Sequence, residues 1–183
     1  MIGHKDGQFV NVIKQRHTIS ARCHLSNVAT ALLLFSICLI GCERRVWENS
    51  LDSPDQLGLA VIDAINQKDI EKLNQLRVQK QAYLSWIYPA FPKSSFSPDF
   101  AWENLNKKCN IGMKRWINQY GGRNLSFVNI RFDKPTQNYD GFQLLRGTIL
   151  TLQNPAGKKA ELKILGSVVM MKNRYKLLSY DDG

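Results

Sequence analysis

The spacing of apolar side chains changes character at Arg123, and that change constrains the fold more than any other feature of the chain. Upstream, apolar residues recur every three or four positions, the repeat of a helix buried along one face. Downstream they alternate, as in strands with one side in a core. Ser53 caps the first helix, Pro54 and Asp55 suit its opening turn, and Leu57, Ala60, Val61, Ala64 and Ile65 form its inner face, which predicts a helix over 54–67. Asp69 caps a second, shorter one carrying Ile70, Leu73 and Leu76. A further turn or two around Ala82, Tyr83, Trp86 and Ile87 stops at Pro89.

Residues 89–100, PAFPKSSFSPDF, hold too many prolines and serines for regular structure and read as a loop draped on the core. Phe91, Phe96, Phe100 and Trp102 are expected to cover that core rather than form a docking patch. A last helix over 101–120 gathers Leu105, Cys109, Met113, Trp116, Ile117 and Tyr120 on one arc and ends at Gly121-Gly122. Cys109 is then a small apolar core residue, with no base to make it a nucleophile. On the opposite side stand Lys107, Lys108, Lys114 and Arg115, a candidate contact for an anionic surface whose simpler reading is a solvated face.

After the switch, strands are expected at 124–132, 142–153, 160–171 and 174–181, with turns at Asn154-Pro155-Ala156-Gly157 and Lys172-Asn173. Four strands joined by short turns make an antiparallel meander. If its long hairpin is centred between Ala156 and Gly157, Gly147 faces Gly166 directly, and paired glycines there would bend both strands. The expectation is an α+β domain over 54–183, its N-terminal helices packed on a curved four-stranded antiparallel sheet. An apolar content of 44% is enough to close such a core without disulfide or metal staples.

Residues 25–41 form an apolar run behind Lys14, Arg16, His17 and Arg22, and its uninterrupted part is too short to cross about 30 Å of hydrocarbon. That pattern is a signal h-region, with an uncleaved anchor or a buried helix as competing readings. The run ends Leu39-Ile40-Gly41-Cys42, which resembles the lipobox of bacterial lipoprotein precursors. The resemblance implies cleavage between Gly41 and Cys42, removal of residues 1–41, and acylation of Cys42, with residues 42–53 as lipidated cysteine and tether. It also implies a cell-envelope location, at the outer membrane facing the periplasm if the envelope has two membranes, since Glu43 rather than Asp follows the cysteine. Two or more acyl chains anchor a protein stably where one does not.

The stretch LGLAVIDAINQKDIEKLNQL, residues 57–76, followed by long alternating strands, is similar to the opening of nuclear transport factor 2-like (cystatin-like) domains. That resemblance implies a cone-like fold with a concave pocket, used in such domains for catalysis, ligand binding or scaffolding. None of the Asp or Tyr residues here matches a catalytic position of the enzymes among them.

His4, His17 and His24 all precede Cys42, so a chain cut there holds no imidazole to activate a nucleophile or complete an ordinary zinc site. Asp99 with Glu103 reads as a helix start, and Asp181 with Asp182 as a solvated tail. No cofactor or metal is called for. The net charge is +10, of which residues 1–41 supply +3 (Lys5, Lys14, Arg16 and Arg22 against Asp6), leaving +7 on a basic domain. Outside the cytosol that charge points to acidic envelope components rather than nucleic acid. The expected function is a membrane-anchored, non-catalytic binding or interaction module that holds an envelope protein, an acidic component or a small apolar ligand. The alternative is a cone-fold enzyme using Asp and Tyr on a small apolar substrate.

Overall fold

The computed structural model describes residues 47–181. Helix α1 (Pro54–Gln67) begins where Ser53 accepts a hydrogen bond from the Gln56 amide, with proline in its first turn. Lys68 ends it in the left-handed conformation (φ 58°), and Asp69 at once caps α2 (Ile70–Gln75) by accepting from the Lys72 amide at 2.8 Å. The side chain of Asn66 exchanges two hydrogen bonds with the backbone of Leu125, tying this corner to the start of the sheet. The chain then makes a short helix α3 (Lys80–Ala82), a π turn (Tyr83–Ile87) and a 3-10 turn (Tyr88–Ala90).

Helix α4 (Pro98–Tyr120) starts three residues earlier than its apolar arc indicated. Ser97 caps it by accepting from the Phe100 amide, and Pro98 occupies the first turn, where a missing N–H costs nothing. The proline-rich loop is correspondingly shorter.

The sheet is antiparallel throughout, with five strands rather than four: β1 (Ser126–Tyr139), β2 (Phe142–Gln153), β3 (Lys159–Leu162), β4 (Ser167–Met171) and β5 (Arg174–Leu177). Its order is β1-β2-β4-β5, with β3 beside the other half of β2. The expected strand 160–171 is divided because Arg146 faces Ser167 while Leu150 faces Leu162, so the returning chain carries one extra residue between those rungs. β1 runs well past its expected end at residue 132. It continues through Pro135 at a register shift between Lys134 and Gln137, which an edge strand tolerates, and turns into β2 at Asp140-Gly141.

Helices and sheet share one apolar core. Leu57, Val61 and Ile65 of α1, Leu73 of α2 and Cys109 and Met113 of α4 meet Leu150, Leu152, Val168 and Leu177 of the sheet. Each such side chain contributes about 1.5–3 kcal/mol when fully buried. A second cluster joins Tyr83 and Ile87 to Phe142, Leu144, Val169 and Met171, and it includes Trp47. Trp47 belongs to the stretch expected to be a tether. Residues 47–52 instead lie against the sheet edge: Leu51 exchanges backbone hydrogen bonds with Tyr175 at 3.0 and 2.8 Å, and Arg174 reaches Ser50 and Asp52.

Candidate functional site

The break in the ladder opens a cleft of about 260 Å³. Gly147 lies there with φ +66°, a conformation that L side chains rarely adopt, and an added Cβ would overlap the Asp133 carboxylate of the facing strand. A Cβ at Gly166 would overlap the Ser179 hydroxyl. The two glycines expected to face each other therefore flank the divided ladder, and their lack of side chains admits Asp133 and Ser179. Thr148 donates to the Gly166 carbonyl at 3.1 Å, and the Ser167 amide donates to Ser179 at 3.2 Å, which fixes the floor.

Three cations line the cleft: Lys134 from β1, Arg146 from β2 and Lys163 from the segment after β3. Only Lys163 has an ion pair among the described residues, to Asp133 at 3.2 Å. Asp181 also borders the space. A concave surface with more cations than carboxylates is suited to an anionic group. The alternating pattern showed the glycines, but Lys134, Arg146 and Lys163 were missed. They come together only through the divided ladder and the long β1, neither of which the alternation predicts.

The expected anionic-surface residues Lys107, Lys108, Lys114 and Arg115 are all exposed on α4. Arg115 also stacks over the Trp116 ring at 5.2 Å. Phe100 and Ile111, at 51% and 50% exposure, stand among these cations on the same helix face. The four aromatic residues expected to cover the core divide into two pairs. Phe91 and Trp102 pack against the second cluster, whereas Phe96 and Phe100 are exposed and stack on each other, ring centres 5.0 Å apart. Capping at Ser97 explains the difference, because it makes Phe100 part of the outer face of a helix instead of a loop free to fold inward.

Of the two acidic pairs, Asp99 has a structural partner. Asp99 sits in the first turn of α4 and pairs with Lys80 at 2.8 Å, raising the lysine's pKa through the hydrogen bond and the charge. The Asp181 carbonyl accepts from the Trp116 indole at 2.9 Å, and Asp182 lies outside the described residues. Among the described residues no carboxylate is buried. Tyr180 is buried, but its hydroxyl donates to the Leu73 carbonyl at 2.8 Å, and burial holds its pKa far above the ordinary tyrosine value. Cys109 is fully buried, its thiol 3.8 Å from the Leu178 carbonyl.

Two buried cations went unnoticed in the sequence. Arg77, 1% exposed, donates to the side chains of Asn74 and Asn106 at 3.2 Å each, and its guanidinium lies 5.8 Å from the Trp102 ring centre. Its Nε and Nη2 have no partner among the described residues, and desolvation lowers its pKa. Lys176, 4% exposed, donates to the Glu48 carbonyl at 2.7 Å, and burial brings its pKa down to about 8.

Gly41 and Cys42, the expected cleavage and lipidation positions, lie outside the described residues. No helix among the described residues is long and apolar enough to cross a membrane, and no group of three or more metal-ligating side chains occurs among them. A scan against protein-family models finds no match, and comparisons with curated proteins and with solved structures find none either.

Proposed function

We propose that this chain is a lipid-tethered, non-catalytic binding module of the bacterial cell envelope, with a nuclear transport factor 2-like, cone-like fold. Cleavage before Cys42 and its acylation supply the tether, and the cleft at the divided ladder holds an acidic envelope component. The observation that carries the binding reading is that Lys134, Arg146 and Lys163 line one cleft at the divided ladder. The lining favours an anion over a small apolar ligand. Support for binding over acid-base chemistry comes from Tyr180, which faces the Leu73 carbonyl and has Arg77 rather than a carboxylate as its charged neighbour.

Inorganic phosphate is a direct probe of the cleft. Titrated into the protein and followed by backbone amide chemical shifts, it is expected to move Gly147, Gly166 and Ser167, and the Arg146→Gln, Lys163→Gln double variant should abolish those shifts. Unmoved amides at those three positions would remove the anion from the proposal.

A further inference from the structure

We infer that the outer face of α4 docks on a bilayer surface rich in anionic phospholipid headgroups. At 100° per residue, Phe100, Lys107, Ile111 and Lys114 fall within an arc of roughly 60°, and Lys108 and Arg115 widen it to roughly 120°. The structure leaves every one of these side chains exposed. Phe96, 58% exposed, extends the apolar part at the N-terminal end by stacking on Phe100. The Tyr88 hydroxyl donates to the Phe96 carbonyl at 2.5 Å, so this aromatic pair is braced from beneath.

The combination selects the occupant. Cations alone would suit any acidic partner, and exposed rings alone any apolar one. Interspersed along one side of a 23-residue helix, they match an interface in which phosphates lie beside the outer ends of acyl chains. Acidic residues are kept to the edge: Asp99 is paired with Lys80, and Glu103 lies beside the arc. Phe96, Phe100 and Ile111 are half of the six large apolar residues that the described chain exposes.

This inference rests on the proposed tether for its setting. Trp47 is docked on the domain, so only residues 43–46 separate it from Cys42, a span under about 20 Å even when extended. An acyl anchor on so short a leash keeps the domain near the headgroups, where a modest surface affinity suffices to hold one face down.

The test uses the full chain with Cys42→Ser in every sample, so that acylation plays no part and any contribution of residues 1–41 is common to all. Flotation is measured with vesicles of phosphatidylglycerol and phosphatidylcholine mixed equally, and with phosphatidylcholine alone. Each surface cation near an anionic membrane is worth about fivefold in partitioning. Lys107→Gln with Lys114→Gln is therefore expected to raise the half-binding lipid concentration about 25-fold on the mixed vesicles and leave it unchanged on the neutral ones. Phe100→Ser with Ile111→Ser should weaken partitioning to both. All four sites are exposed, and thermal melts matching the parent will confirm that the fold is intact. Unaltered flotation of both double variants, or an equal effect of the lysine changes on neutral vesicles, would overturn the inference. Either result leaves the state of Cys42 to be decided by its own measurement.

Discussion

Replacing Arg77 with methionine should make the protein more stable. The guanidinium is 1% exposed, cannot deprotonate, and has no carboxylate partner among the described residues. Its two orphaned groups, Nε and Nη2, each cost about 1–3 kcal/mol of lost hydration. Against that stand the Nη1 bonds to Asn74 and Asn106 and the Trp102 contact, the last worth about 1 kcal/mol. Asn74 is exposed and Asn106 half-buried, so both amides regain water once the arginine is gone. Methionine keeps most of the volume, and replacing buried charge by a fitting apolar chain is often neutral or stabilising by about 1–4 kcal/mol. The expected gain is about 2 kcal/mol, or roughly 6 °C in Tm for a domain of this size. Arg77→Ala should instead lose up to about 3 kcal/mol, because the cavity, about 2–5 kcal/mol relative to methionine, offsets or outweighs the relief of the buried charge. Urea unfolding of the three proteins separates charge from volume. If methionine destabilises as much as alanine does, the guanidinium is satisfied in solution and the reasoning fails.

Three further outcomes bear on the framework of the cleft and its neighbours. Gly147→Ala should cost about 2–3 kcal/mol in chemical denaturation, part from the left-handed backbone and part from displacing Asp133, and the second part should vanish when Asp133→Ala is already present. Ser97→Ala should lower stability by about 1 kcal/mol through loss of the α4 cap, measurable as a shift in urea midpoint without a change in slope. Lys176 has a folded pKa of about 8, below the model-peptide value of 10.5, so between those values the unfolded chain binds the extra proton and stability rises with pH. Urea midpoints from pH 8 to 9.5 should climb by the equivalent of about 1 kcal/mol, stopping short of the range where tyrosines ionise, and Lys176→Met should flatten that rise.

Local signals carried the helices and the β2–β4 register. Serine and aspartate caps, a proline in the first turn and a three-to-four repeat act within a few residues, so α1 and α2 were legible, and so was the register that sets Arg146 against Ser167, beside the two glycines. The start of α4 was hidden because its first turn, Pro98 to Phe100, has no buried face; only the cap at Ser97 marked it. The continuation of β1 through Pro135 was invisible for a related reason: proline argues against a strand unless one already knows that the strand lies at an edge. The cationic cleft and the buried Arg77 and Lys176 depend on contacts between distant segments, which periodicity does not encode. Arg77 sits between Leu76 and Val78 in an apolar environment, a hint available in sequence but too common to single it out.

The tether on Cys42 underlies the envelope setting of both proposed surfaces, and intact-mass analysis of the protein extracted from bacterial membranes tests it most directly. The account predicts a polypeptide beginning at Cys42 and heavier than its residues by a thioether-linked diacylglycerol and an amide-linked acyl chain, with Cys42→Ser unprocessed. An unmodified Cys42, or a chain still carrying residues 1–41, would contradict it.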